Sequence, residues 1–327
     1  MAKGKGGFIG YSPLLQNPVV YQGVWSLSTQ YQNVSGWPVV PIAGDLALFP
    51  SGAAADTSVN YIVITTTSNT ISWGNLSAGC FNSAGMSSST RGVFAFGKST
   101  GNADSNVMEF VTMRSIGTST DFGDAQNTGL KSDSGSGSNT RGIFKDAGND
   151  NNTISYITIA TTGNASDFGD RTVNGHSLAG FSSTTRSVFA GGTTGSRINT
   201  IDYVTIASTG NATDFGDLTQ VQADCAGLSN STRGITAGGA SSGLTNVISY
   251  VTIASTGNAT DFGDLGASKQ FCSGTSNSTR GVIQLGESFS NTLEYITIAS
   301  TGNSSVFGNY QNTSGAGAVS TAHGGLS

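Results

Sequence analysis

The sequence predicts an all-β fold: a six-bladed β-propeller over residues 44–327, preceded by an extended N-terminal arm over residues 1–43. Three observations lead to this prediction. A segment of fixed length recurs six times, the composition suits short strands and tight turns, and the last repeat is split between the two ends of the sequence. A fixed period of about 20–50 residues is the signature of a repeat architecture.

The recurring segment is clearest as YVTIASTGNATDFGD at 203–217, which returns almost unchanged at 250–264. One aromatic residue marks each copy, and successive markers are 49, 46, 47, 47 and 45 residues apart. Four-stranded units of this length are typical of propeller blades, so six markers predict six blades. The markers are Tyr61, Phe110, Tyr156, Tyr203, Tyr250 and Tyr295.

Each repeat is predicted to hold four short strands, named A to D in chain order. In the copy at 224–264, strand A is the small-residue stretch 224–230, and strand B is 235–239. Strand C, at 246–254, is rich in β-branched residues, and strand D follows a Gly-Asn turn. The 47 glycines among 327 residues favour such strands and turns over helices.

Strand A is predicted to be innermost because blades converge on the axis, where only small residues leave room for neighbouring backbones. A glycine lies six residues before the arginine of each A–B turn, and Gly317 is matched to it in the last copy, with His323 in place of arginine. The glycines are Gly85, Gly135, Gly180, Gly227 and Gly274.

The A–B turn carries an arginine in five copies. These cations are expected to be structural, satisfied by backbone carbonyls or by an Asp of strand D; the alternative is an anion-binding collar. The arginines are Arg91, Arg141, Arg186, Arg233 and Arg280, and the Asp candidates are Asp124, Asp170, Asp217 and Asp264.

The two ends of the repeat region are expected to complete one blade. Residues 45–49 read as a strand B, and residues 315–321 read as a strand A. Pairing them closes the ring and removes the edges that an open sheet would expose.

The arm outside the repeat holds many large apolar side chains and four of the five prolines. Contiguous exposed apolar surface marks a binding patch, so we expect the arm to dock on a partner; the alternative is that it folds back on its own domain. The attachment candidates are Phe8, Ile9, Val24, Trp25, Leu27, Tyr31 and Trp37.

Charge and hydropathy exclude two kinds of partner. With a net charge of −5 and a pI of about 4.8, the chain lacks the excess of basic residues with which nucleic-acid-binding proteins contact phosphates. No apolar run reaches the roughly 18 residues that a membrane span needs. We therefore expect no nucleic-acid partner and no membrane span.

Catalytic constellations are scarce, so we expect neither an enzyme nor a cofactor. The sequence holds two histidines, His176 and His323. Residues 175–179, GHSLA on the predicted inner strand, miss the G-x-S-x-G nucleophile elbow at the last position. Residues 146–152, DAGNDNN, offer calcium ligands without EF-hand spacing, so an ordinary loop is favoured.

The cysteines lack the close spacing of a metal or redox motif. Two of them lie eight residues before a turn arginine in successive repeats, which favours buried thiols over a disulfide or a metal site. They are Cys80, Cys225 and Cys272.

The connections between strands differ in how much they vary. The A–B and C–D turns are nearly identical from copy to copy, whereas the B–C and D–A connections differ, and each pair emerges on its own face of the propeller. Recognition usually resides in loops on a rigid scaffold, so the variable face is the candidate recognition surface; neutral drift is the alternative. The B–C loops are 97–106, 147–153, 191–199, 238–246 and 286–291.

The repeats resemble kelch-type propeller repeats, with Gly191-Gly192, Tyr203 and Phe215 in the family's characteristic places. They depart from that pattern by having Phe where Trp is usual, except at Trp73, by a longer gap from Tyr to the outer aromatic, and by copies that lack the second glycine.

The tandem motifs YVTIASTGNATDFGDL and STRGI, together with the leader GKGGFIG and GVWSLSTQY, resemble structural proteins of tailed bacteriophages, notably those infecting marine bacteria and cyanobacteria. The resemblance implies a virion protein of the tail-fibre or appendage type, with an attachment segment and a displayed kelch-like propeller. Its expected partners are other tail or capsid subunits and host-surface glycan, and it is expected to be oligomeric in the particle. The alternatives are a purely architectural tail or head component and a propeller-type glycan-active enzyme.

Overall fold

A computed structural model describes residues 42–53, 56–129, 135–146, 151–286, 291–310 and 317–326. It confirms the predicted fold class: six antiparallel four-stranded sheets stand round one axis as the blades of a propeller. Apart from strands, the described ranges contain one short 3-10 turn, Thr100–Asn102. In those ranges, no helix has the length and apolarity to cross a membrane.

The blades are numbered 1 to 6 in chain order, and their strands are given as A, B, C and D. Blade 1 is Val319–Ser320, Leu46–Pro50, Ser58–Val63 and Ile71–Asn75; blade 2 is Ala84–Ser87, Arg91–Ala95, Val107–Thr112 and Thr120–Asp124; blade 3 is Gly135–Gly137, Arg141–Lys145, Thr153–Thr158 and Ser166–Asp170. Blade 4 is Ala179–Ser182, Arg186–Ala190, Thr200–Thr205 and Thr213–Asp217; blade 5 is Ala226–Ser229, Arg233–Ala237, Val247–Thr252 and Thr260–Asp264; blade 6 is Ser273–Ser276, Arg280–Gln284, Thr292–Thr297 and Ser305–Asn309. Gly117–Thr118 adds a short parallel strand to the outer edge of blade 1.

The outer strand of every blade contains a β-bulge at the same place. In blade 4, Ile201 pairs with Gly216 and Asp202 pairs with Asp214, so Phe215 is the extra residue. A bulge re-aims a side chain, and Phe215 is accordingly buried, with its ring edge-on to Tyr203 at 5.8 Å between centroids. Phe215 also shares a buried cluster with Val251 and Ile253 of blade 5, so the repeated Phe of strand D contributes to the core between blades.

The inner strands are packed too closely for larger residues. A Cβ placed on Gly227 would lie 2.4 Å from the carbonyl oxygen of Gly180 in the neighbouring blade. This contact gives the physical reason for the glycine of strand A.

The ring closes through both ends of the repeat region, as the sequence predicted. Ala47 and Leu48 pair with Ser320 and Val319. The Leu46 amide donates to Thr321 Oγ1 at 2.9 Å, and this bond reproduces the bond from an arginine amide to the turn serine in an uninterrupted blade.

One register in the sequence analysis was wrong by a residue. Ser320 pairs with the second residue of strand B, as Ser87 does in blade 2, so Ala318, and not Gly317, holds the inner-glycine position. His323 consequently does not stand in the arginine position, which Leu46 occupies through its pairing with Val63. A glycine-rich segment with several candidate glycines gives no internal marker of register.

Candidate recognition face and the joints that support it

The turn arginines join each blade to the next. Each guanidinium lies 4.2–4.5 Å from the centroid of the aromatic marker in its own blade. Its Nη1 donates to a carbonyl just after strand C of the next blade at 2.7–3.0 Å. Backbone carbonyls are therefore the partners of these cations. The donor and acceptor pairs are Arg91 and Ile159, Arg141 and Ile206, Arg186 and Ile253, Arg233 and Ile298, and Arg280 and Ile64.

The sixth joint uses a different side chain. Leu46 stands where the arginine of blade 1 would be, and the acceptor carbonyl belongs to Met113 of blade 2. The indole Nε1 of Trp73, which stands where other blades have Phe, donates to that carbonyl at 3.3 Å. Sequence analysis noted Trp73 and the absence of a sixth turn arginine, but it placed His323 in the arginine position and did not connect the two departures.

The outer parts of the blades are joined by the Gly-Asn turn between strands C and D. Asn258 Oδ1 accepts from the Asp217 amide at 3.0 Å, and four other junctions share this bond. Gly216, at φ +143°, approaches Gly257 so closely that a Cβ would lie 2.6 Å from the Gly257 carbonyl. The uniformity of these turns thus follows from contacts within the scaffold.

A third joint connects each D–A connection to strand C of the next blade, and its residues differ between blades. Between blades 3 and 4, Arg171 Nε donates to Asp202 at 3.0 Å, and both side chains are fully buried. Between blades 5 and 6, the Gly266 amide donates to Glu294 at 3.0 Å. Carboxylates of strand C therefore accept hydrogen bonds from the D–A connections within the scaffold.

The calcium candidate at 146–152 begins in such a joint. Asp146 is buried and accepts from Ser155 Oγ at 2.7 Å and from the Gln126 amide at 3.0 Å. Burial raises the pKa of Asp146 although these bonds favour its charged form. Residues 147–150 lie outside the described ranges. Within those ranges, no three His, Cys, Asp or Glu side chains form a metal-binding group.

A belt of serines surrounds the axis at the A–B turn end. Each serine hydroxyl donates to the carbonyl of the equivalent residue in the preceding blade at 2.6–2.8 Å. Blade 3 interrupts the belt because it has Gly137 at this position. The serines are Ser87, Ser182, Ser229, Ser276 and Ser320.

His323 fills the interruption. Its Nε2 donates to the Ser87 carbonyl at 2.9 Å, and its Nδ1 accepts from the Gly325 amide at 3.1 Å. These partners require a neutral imidazole with the proton on Nε2, and burial lowers the pKa of His323 accordingly.

Residues 321–326, here called the axial strap, cross the axis at this end. The Gly324 amide donates to the Ser229 carbonyl at 3.0 Å, on the far side from Ser87. A Cβ on Gly325 would lie 1.7 Å from the Gly137 oxygen, so the strap fits only with glycine there. The cavity along the axis measures about 40 Å³, which is room for one or two waters and too little for an organic ligand.

The opposite face carries small β-hairpins on three blades. Within the B–C loops, Lys98 pairs with Asp104, Thr193 with Arg197, and Ala240 with Leu244. Each hairpin also pairs with the D–A connection that leads into its blade, through Phe81, His176 and Ala223 respectively. The variable connections therefore lie together on one face, as predicted, and are held by backbone pairing.

Four non-glycine residues in the D–A connections share a left-handed backbone, with φ between +52° and +59°. One is Ser177, the serine of the near-elbow at 175–179. It lies in the connection, not on strand A as expected, and His176 Nδ1 is 3.1 Å from its Oγ. Because four blades share this backbone conformation in their D–A connections, it is a feature of the repeat and not the strained turn of a nucleophile elbow. The four are Asn82, Ser177, Asp224 and Phe271.

A cleft opens between the hairpins of blades 4 and 5. It has a volume of about 560 Å³, within the range of small-molecule sites. The lining residues come from both hairpins and from the connection between the two blades; they are Thr193, Gly195, Ser196, Arg197, Val221, Ala223, Asp224, Ser241 and Ser242. Sequence analysis located the face but not this cleft.

The cysteines are free thiols. Cys80 and Cys225 are buried and Cys272 is half-buried, with its thiol 3.4 Å from the Lys269 carbonyl. Burial raises the pKa of Cys80 to about 12 and that of Cys272 to about 11. Because the thiolate is the reactive form, the raised pKa of these thiols disfavours their reaction at neutral pH.

The attachment candidates of the arm, from Phe8 to Trp37, lie outside the described residues. Comparison of the chain with protein-family models gives no match, and comparison with curated proteins gives none either.

Proposed function

We propose that this protein is a non-enzymatic virion component whose propeller displays a recognition face and whose residues 1–43 attach it to the particle. One observation carries the recognition half of this proposal. The residues that recur in the repeats are used in joints between blades, whereas the hairpin face is free to vary. Variation on a rigid scaffold is typical of binding surfaces.

The placement in a phage particle rests on the resemblance of the repeats and of the leader to phage structural proteins. A host-surface glycan is the proposed ligand because the hairpin face is rich in hydroxyl and amide groups and carries few apolar side chains. Neighbouring tail or capsid subunits are the proposed partners of the arm.

Deletion of residues 1–40 tests the attachment. The shortened protein should keep the circular dichroism spectrum and the cooperative melting of the full chain, yet be missing from purified particles. Normal incorporation of the shortened protein would refute the role of the arm.

A paired substitution tests the recognition face. Ser196→Glu adds a negative charge to a hairpin of blade 4, and Ser208→Glu makes the same change at an exposed turn on the opposite face of that blade. In an assay of propeller binding to host cells, the first variant should lose binding and the second should keep it. Equal binding by both would refute recognition by this face, and no binding by the unchanged protein would favour a purely architectural role. Depolymerisation of host polysaccharide by the pure protein would indicate an enzyme.

A further inference from the structure

We infer that the cleft between blades 4 and 5 binds a short acidic saccharide, with Arg197 receiving the sugar carboxylate. The inference rests on the proposed recognition function and names the ligand class and the residues for one part of that face.

The walls of the cleft are preformed. The hairpin of blade 4 is fixed by the pairing of Thr193 with both His176 and Arg197, and the hairpin of blade 5 by the pairing of Ala240 with both Ala223 and Leu244. The Gln222 amide donates to the backbone carbonyl of Ile198 at 3.0 Å, which fixes the floor between them. A site built from paired backbone loses little conformational entropy on binding.

The charge of Arg197 is available to a ligand. Its side chain is exposed and has no acidic partner among the residues that the structure describes. The hairpin of blade 2 differs, because there Lys98 is paired with Asp104 at 2.8 Å. The turn arginines and Arg171 are occupied in joints. The cleft lining also includes the carboxylate of Asp224, which is half-buried, whereas Arg197 is exposed. The exposed guanidinium therefore favours an anionic group at the mouth of the cleft, and its planar fork suits a carboxylate.

The remaining lining favours a polyol. Hydroxyl groups of Thr193, Ser196, Ser241 and Ser242 surround the cleft, and its lining contains no aromatic ring. Val221, 40% exposed at the floor, offers an apolar contact for the C–H face of a sugar ring. A ligand with many hydroxyls and one carboxylate satisfies this set, whereas an aromatic or purely apolar ligand leaves the hydroxyls without partners.

The test uses isothermal titration of the full chain with trigalacturonate and with galactotriose, its carboxyl-reduced counterpart. The acid trisaccharide should bind at least tenfold more tightly, and the preference should shrink as salt is raised. Arg197→Gln should remove the preference, and Arg197→Lys should restore only part of it. Leu244→Gln, at the equivalent position of the next hairpin and outside the cleft, should change nothing.

Equal affinity for the two trisaccharides, or an unchanged preference in Arg197→Gln, overturns the inference. So does the absence of binding to either sugar at millimolar concentration. The broader proposal is scored separately by host-cell binding. If Arg197→Gln binds host cells as well as the unchanged protein, the recognition function stands and the assignment of this cleft fails. If the unchanged protein binds no host cells, the recognition function itself fails.

Discussion

The replacement of Trp73 by Phe provides a stringent test of the joint between blades 1 and 2. Each of the other five blades has Phe at this position of strand D together with a turn arginine. Trp73→Phe therefore moves blade 1 toward the consensus of its own repeats. Consensus substitutions commonly stabilise proteins. The structure predicts the opposite, because Leu46 supplies no donor and the Met113 carbonyl would lose its indole partner.

The expected loss follows from two contributions. Leaving a buried carbonyl without its donor costs about 1–3 kcal/mol, and the 3.3 Å length of this bond places it at the lower end. Trp73 is 1% exposed, and its exchange for Phe removes roughly 40 Å² of buried ring surface, worth about 1 kcal/mol. The free energy of unfolding should therefore fall by about 2–3 kcal/mol.

A double-mutant cycle with Leu46→Arg isolates the mechanism. The arginine restores the side chain that the other five joints use, and Tyr61 offers the ring on which it can stack. Urea unfolding monitored by circular dichroism should show that Trp73→Phe with Leu46→Arg is more stable than the sum of the single changes predicts, by at least about 1 kcal/mol. Additive effects, or stabilisation by Trp73→Phe alone, would refute the substitution of indole for guanidinium.

Three further predictions concern the scaffold. Because the pKa of His323 is lowered by burial from its ordinary value of 6.5, the unfolded chain takes up a proton first as the pH falls. Stability should therefore be full above pH 6.5 and decline below it by at most about 1.4 kcal/mol per pH unit from this group; in His323→Ala, chemical unfolding across pH 5–8 should show a weaker decline. Gly216→Ala places a Cβ 2.6 Å from Gly257 at φ +143° and should lower the free energy of unfolding by about 2–4 kcal/mol. Gly243→Ala, with no atom within 4 Å of its Cβ, should change it by less than about 0.5 kcal/mol. Asp202→Asn leaves the buried Arg171 uncompensated and should cost about 3 kcal/mol in thermal or urea unfolding, and a cost below about 1 kcal/mol would contradict an ion-pair role.

The repeat made the architecture predictable. Blade number, strand order and ring closure all follow from a periodic pattern in which each copy repeats the same strands, and the structure confirms them. The register of the closing strand was less predictable, because residues 315–318 alternate glycine and alanine without a turn or an arginine to fix their position.

The exceptions in the repeat were harder to interpret. Trp73 replaces a side chain missing from its own blade, and His323 replaces one missing from blade 3; both bonds depend on which blades become neighbours when the ring closes. The cleft beside Arg197 likewise depends on the hairpin conformation of two loops. Sequence variability identified their common face, but their conformation comes from backbone pairing that no single loop sequence displays.

The central claim is that residues from both ends of the repeat region complete blade 1, and that the closed ring fixes the hairpin face. Hydrogen exchange measured by mass spectrometry on the full chain and on a chain ending at residue 318 tests this most directly. Deletion should lower the protection of Leu46–Pro50, which loses Val319–Ser320 on one side and keeps Ser58–Val63 on the other, and should raise exchange in the strands A of blades 2 and 6 that border it. Unchanged protection of Leu46–Pro50 in the shortened chain would contradict the closure.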